Sequence, residues 1–250
     1  MNEPFEAFVE KAIRQLRHDQ NAFLEAYQIN AYDAWYYDQP SGVFTFSKES
    51  EQRFFAFQCI GSFAPEAGTW LWSWANKFTY PEVKKDSFLL KEYGQAHQIE
   101  KLTKEHWEAE EVDGWEMLAL AHWLLKPIGV YRIPTEGMFI FLIFTSELSQ
   151  EEARSREEKK IELLSCDIHG LKRPTFVCQH LNKKVRKGFH EAFESWEEME
   201  LGEDDDLQAW CDEWEKVRIR HDGWNEVSEQ FAKIKLVCEN CYFEMKEINA

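Results

Sequence analysis

The sequence predicts an α+β fold, an antiparallel sheet with helices packed on one face, followed by a small C-terminal cysteine-bearing domain. Three observations carry this. Short alternating aromatic runs come in groups, set apart from amphipathic runs instead of alternating strictly with them, which is the pattern of an antiparallel α+β layer and not of a parallel sheet. The 250 residues include 19 Phe, 11 Trp and 8 Tyr, rings that are costly to leave in water and that fill a core by edge-to-face and offset packing. Five of the six cysteines, Cys166, Cys178, Cys211, Cys238 and Cys241, lie beyond residue 165.

The expected order in the first domain, residues 1–148, is helix, four strands, two helices, two strands. Phe5, Phe8, Val9, Ala12, Ile13 and Leu16 recur at helical spacing with charges between them, so the chain opens with an amphipathic helix. Residues 34–46 predict two short strands around Asp38-Gln39-Pro40-Ser41-Gly42, a run of turn formers. Phe54 to Gly61 is a third strand. Trp70, Trp72 and Trp74 alternate with Leu71, Ser73 and Ala75, which places three indoles on one face of a fourth. Helices follow near 82–97 and 113–126, the second with Trp115, Leu118, Ala119, His122 and Leu125 on one stripe. Val130 to Ile133 and Met138 to Phe144 form a hairpin across Pro134-Thr135-Glu136-Gly137.

Ser149 with Glu152 makes a capping box that opens a connecting helix over 149–165. Its thin apolar stripe, Ala153, Ile161 and Leu164, marks a domain boundary. In the small domain, 166–250, residues 175–181 read as a strand and 224–248 as a helix. Residues 194–206 hold eight acids and no base; they lack the glycine-punctuated alternation of a calcium loop and are expected to be a solvated loop.

The net charge is -17, from 46 acids and 29 bases. It is shared, with 27 acids and 17 bases over residues 1–165 and 19 and 12 over 166–250. Such a surface repels phosphate backbones and anionic lipid heads and favours a protein partner with a basic surface. Lys183, Lys184, Arg186 and Lys187 are the local exception, read as a solvated turn. No apolar run approaches the ~20 residues that span a bilayer, and Met1 to Glu10 has no signal-peptide pattern. The expectation is therefore a cytoplasmic protein bound to neither nucleic acid nor membrane, with reduced thiols. Nothing in the sequence fixes its oligomeric state.

Residues 57–76, FQCIGSFAPEAGTWLWSWAN, resemble a bacterial family of unknown function whose members carry a strand of the TWLWAWAN type. The resemblance runs on through the Gly114-Trp115 helix to the hairpin ending near Phe144, and it implies no known chemistry. The second domain resembles tails of similar bacterial proteins, in His169-Gly170, Thr175 to Leu181, Trp210-Cys211, Asp222 to Asn225 and Cys238 to Tyr242. That resemblance implies a second CxxC pair, WCxxC, at the tryptophan-cysteine segment. Here Trp214 stands where its second cysteine would be.

Zinc takes four tetrahedral nitrogen or sulfur ligands, and a CxxC pair supplies two from one short segment. Cys238 and Cys241 have that spacing. Cys178 and His180 are two apart on the expected strand and so share a face. With Cys211 they give five candidates for four places, the preferred set being Cys178, Cys211, Cys238 and Cys241 with His180 as substitute. The competing reading is packing: Phe231, Ile234, Cys238, Cys241, Met245 and Ile248 fall at helical steps, where buried thiols act as small hydrophobes. Cys59 reads as core. Cys166 with His169 reads as a strand end or turn, and His122, on an apolar stripe, as a core residue.

The sequence contains no GxSxG, no GxxxxGK[ST], no HExxH and no GxGxxG, the local signatures of common hydrolases, NTPases, zincins and dinucleotide enzymes. The first functional expectation is thus a non-catalytic interaction module with a structural zinc. The alternative is a metal-dependent hydrolase with an open zinc site in the C-terminal domain.

Overall fold

The computed structural model describes residues 5–49, 51–160, 162–202 and 205–250. The chain divides into two compact units, Met1–Ile161 and Glu162–Ala250. The first is α+β as expected. Helix α1 (Phe5–Ala26) is followed by strands β1 (Ala34–Asp38), β2 (Val43–Lys48), β3 (Glu51–Ala64) and β4 (Thr69–Trp72). Helices α2 (Lys85–His97) and α3 (Glu100–Thr103), strand β5 (His106–Glu108) and helix α4 (Glu111–Leu125) come next, then β6 (Gly129–Thr135), β7 (Met138–Leu148) and α5 (Gln150–Glu158).

The strands make one antiparallel sheet in the order β1-β2-β3-β4-β5, with β7 paired to β3 and β6 to β7. Strand β3 organises it. Its first half pairs with β2, its second half with β4, and β7 runs along most of its length, with register shifts at Ala56/Phe57 and Cys59/Gly61. Such bulges bend a strand and increase its twist, and the sheet curls around a core of rings. Phe44, Phe46, Phe55 and Phe144 meet one another and Phe23 of α1 at centroid distances of 4.8 to 5.9 Å. Alternate residues serve other neighbours: Val43 and Ala56 pack with Leu148 and Ala153 of α5.

Trp70 and Trp72 are fully buried, and the Trp72 Nε1 donates to the Lys101 carbonyl over 2.9 Å. A β-carbon on Gly61 would lie 2.3 Å from the Trp70 ring, so only glycine lets β3 approach the indole. Trp74 is buried too, but it lies beyond the end of β4. Helix α3 and strand β5, four and three residues long, were not expected, since elements that short show no periodicity. Helix α5 begins at the expected Ser149–Glu152 capping box. It stops at Glu158, and Leu164 belongs to the next strand; Ile161 lies outside the described residues.

The second unit consists of short pieces. A hairpin of β8 (Leu164–Cys166) and β9 (Gly170–Lys172) precedes β10 (Pro174–Val177), β11 (His190–Glu191) and β12 (Gln208–Trp210). Then come α6 (Asp212–Arg220), α7 (Glu226–Ala232), β13 (Lys235–Cys238) and α8 (Glu239–Asn249). The sheet order is β11-β12-β10-β13, with β10 and β12 parallel and the other pairs antiparallel. Its core gathers Val177, Cys178, Leu181, Ala209, Trp210, Cys211, Trp214, Ala232, Tyr242 and Met245. The described part of the acidic stretch 194–206 has no helix or strand.

The continuous helix expected over 224–248 is corrected to helix, strand, helix. Lys233, at φ 42°, ends α7, and Lys235 to Cys238 then pair with β10 in the register Pro174↔Cys238 to Val177↔Lys235. Pairing with a neighbouring strand outweighs a helical spacing of apolar residues, because tertiary context overrides weak propensity. The strand expected over 175–181 ends at Val177, so Cys178 and His180 follow the strand instead of sharing its face.

Candidate metal centre

Four ligand-bearing side chains converge at one end of the second unit. Cys166 closes β8, Asp167 to His169 form the turn, and Gly170 opens β9 opposite Cys166 at φ 76°, a conformation that glycine adopts without strain. This knuckle aims a sulfur and an imidazole at the same point. The other half comes from the junction of β13 and α8: Cys238 is the N-cap of the helix, and the Cys241 backbone N–H donates to its sulfur over 3.4 Å. The ligand atoms of Cys166, His169, Cys238 and Cys241 all lie within 4.8 Å of one another.

The distances suit a tetrahedron. His169 Nδ1 lies 3.3, 3.5 and 3.7 Å from the sulfurs of Cys238, Cys241 and Cys166, and the Cys166 and Cys241 sulfurs are 3.9 Å apart. Zinc bonds of about 2.3 Å to sulfur and about 2.0 Å to nitrogen give tetrahedral edges of roughly 3.5–3.8 Å. The other imidazole nitrogen, Nε2, lies 3.2 Å from a Glu244 carboxylate oxygen. That carboxylate fixes the ring so that Nδ1 faces the sulfurs, the usual outer partner of a metal-bound histidine.

Electrostatics supports the same set. The backbone N–H of His169, helped by that of Ile168 and by the side chains of Cys238 and His169, holds the Cys166 thiol well below its ordinary range, at about 6. Burial pushes Cys238 up to about 12. Three sulfurs this close become thiolates together only beside a cation. Three thiolates and one neutral imidazole around Zn²⁺ would carry a net charge of minus one, and the Lys183 ammonium sits 3.2 Å from the Cys241 sulfur. Lys183 also pairs with Glu244, which raises the lysine and lowers the carboxylate.

A second group stands apart from the first. Cys178, His180 and Cys211 have ligand atoms within 4.8 Å of one another, and both sulfurs are buried. Cys178 follows β10, and Cys211 follows β12 as the N-cap of α6. Burial, with the neighbouring Cys178 thiol, raises the Cys211 thiol. Burial also lowers His180, whose Nδ1 is enclosed without a hydrogen-bond partner.

The five expected ligands therefore divide. Cys238 and Cys241 join Cys166 and His169, while Cys178, His180 and Cys211 form the other group. The Cys166–His169 pair does lie at a strand end and turn, and that turn is what lets it serve. The readable signal was a CxxH followed by glycine, the spacing of a tight two-ligand hairpin.

Elsewhere among the described residues no further group of three ligand side chains converges. A groove of about 840 Å³ in the first unit is lined by Glu6, Glu10, Glu100, Asp113 and Glu116. Lys101 engages Asp113 at 2.7 Å and Glu116 at 3.9 Å, and burial raises Glu116. Among the described residues, the acids there do not converge as a group of three ligands. His122 is buried on α4, with Nε2 3.6 Å from Asp19 and a pKa lowered by burial. Cys59 is a core thiol, pushed up to about 12 by burial.

A model for a family of unknown function, DUF6882, matches residues 6–146. The chain belongs to that family. The match lies within the first unit, and both cysteine groups lie outside it. No curated protein and no solved structure matches the chain. Among the described residues, no helix is long and apolar enough to cross a membrane.

Proposed function

We infer that the second unit is a zinc-braced module that presents surfaces to a protein partner, with Cys166, His169, Cys238 and Cys241 as the metal ligands. One observation carries this reading: the four ligand atoms lie within 4.8 Å of one another, with His169 Nδ1 3.3 to 3.7 Å from the three sulfurs, and the spare nitrogen of His169 is held by Glu244. Four protein ligands close the coordination sphere, which is the mark of a structural zinc and not of a catalytic one. The ion would tie the β8–β9 hairpin to the start of α8.

The partner's chemistry follows from charge and exposure. A net charge of -17 favours a basic surface and speeds its approach at low salt. Val227 and Phe231, four residues apart on α7, are exposed, as are Trp224 and Ile234, and Trp224 and Ile234 line one small depression. Exposed aromatic and aliphatic side chains within a charged surface are the usual anchors of an interface.

Metal content and stability after Cys241→Ser test the brace. The variant is expected to bind one fewer zinc per chain and to melt the second unit at a lower temperature. Unchanged metal content and unchanged melting would refute it. For the partner, salt-sensitive capture of a stoichiometric basic protein from native cytosol, weakened by Phe231→Ser, is the expected result; capture indifferent to both salt and that substitution counts against it.

A further inference from the structure

We propose that Cys178, His180 and Cys211 form a second, separate zinc site whose fourth position is taken by water or another small exogenous ligand. The three ligand atoms lie within 4.8 Å of one another. Two thiolates and an imidazole are a ligand set that suits zinc, and zinc with three protein ligands keeps one position for solvent.

Comparison with the first group explains the ligand count. Helices α6 and α8 both follow a strand of the same sheet, and each is N-capped by a cysteine, Cys211 and Cys238. At α8 the residue three positions on donates its backbone N–H to the cysteine's sulfur, whereas Cys211 makes no such cap bond at α6. The side chains at that third position differ. Cys241 adds a thiolate at α8, whereas Trp214 at α6 turns into the core and donates Nε1 to the Ser228 carbonyl over 2.8 Å. The second group is the same strand-to-helix device with one ligand fewer.

Two further features separate this group from ordinary core thiols. His180 Nδ1 is buried with no hydrogen-bond partner, a cost that packing alone leaves in place and that ligand chemistry removes. The Cys178 and Cys211 sulfurs are as buried as the core around them. Two thiolates with Zn²⁺ make a neutral complex, the charge state that burial tolerates. Binding is balanced as release of two thiol protons for one zinc ion taken up, with no redox change.

The test is cobalt substitution and metal counting on the full chain, purified under reducing conditions. The expected result is two ions per chain, falling to one in Cys178→Ala and to one in Cys241→Ser, with thiolate-to-cobalt absorption reduced in each and abolished in neither. Added cyanide should shift the cobalt ligand-field bands of wild type and of Cys241→Ser, and leave those of Cys178→Ala unchanged. One ion per chain in wild type, with unchanged metal content in Cys178→Ala, overturns the proposal. So does a Cys178–Cys211 disulfide in the intact mass of protein kept under reducing conditions, or cobalt bands in Cys241→Ser that ignore cyanide. The ligands are distinct from those of the first group, so either site can fail without the other.

Discussion

The first unit contains a strand of 14 residues and another of 11, paired along most of their lengths, whereas no described strand of the second unit exceeds four residues. Long strands carry many side chains to one face. Phe44, Phe46, Phe55, Phe57 and Phe144 are all buried there, with Phe23 supplied by a 22-residue helix. Short strands offer two or three inward residues each, and a small domain buries proportionately less of its chain. The second unit brings Cys166, His169, Cys238 and Cys241 together, and a metal there would meet that shortage, as metals or disulfides do in other small modules. One unit is held by area, and in the reading proposed above the other is held by a metal cross-link.

Metal removal should break this contrast most sharply. A structural zinc contributes roughly 10–16 kcal/mol of apparent binding energy, so a strong chelator should unfold the second unit and leave the first intact. Calorimetry would show two transitions, of which one vanishes on chelation; a single transition indifferent to chelator would end the distinction. Phe144→Ala is the reciprocal test. Deleting a fully buried ring at the centre of the aromatic cluster should cost about 3–5 kcal/mol, with no change in bound metal. Loss of metal in that variant would show that the units are not independent.

Glu244→Gln sharpens the account of the cross-link. Outer partners of metal-bound histidines are worth about 10- to 100-fold in affinity, so competition with a chromophoric chelator should show weaker zinc binding of that size. An unchanged affinity would mean that Glu244 does not orient His169.

The smallest effect concerns acid. The Arg218 side chain, with help from Trp210 Nε1, holds Glu215 well below its ordinary value of 4.5, at about 2. A carboxylate lowered by folding stabilises above its unfolded pKa, and that stability is lost as pH falls from about 4.5 towards 2. Glu215→Gln should therefore lower the stability of the second unit at pH 7 by about 0.5–1 kcal/mol, with the difference from wild type shrinking below pH 4. A constant difference across that range would assign the effect to packing.

Local patterns carried much of the fold. Helix α1, the β1–β2 and β6–β7 hairpins and the cap of α5 rest on interactions within a few residues, so periodicity and turn chemistry reveal them. Cys59 and His122 were equally legible, each apolar by its neighbours and buried in fact. The segment after Asp222 misled, because Phe231, Ile234, Cys238 and Cys241 have a helical spacing that pairing with β10 overrides. The candidate site was legible as an inventory of ligand types and illegible as a partition.

The sequence by itself determined an aromatic α+β layer, an acidic surface and a reserve of soft ligands in the last third, because these depend on composition and short-range order. Only the tertiary structure decided which ligands meet. Cys166 and Cys238 are 72 positions apart, and their approach depends on where two strand ends fall in space. A strand that stops one residue earlier, or a helix that begins one residue later, sends the same sulfur elsewhere, and no spacing along the chain encodes that.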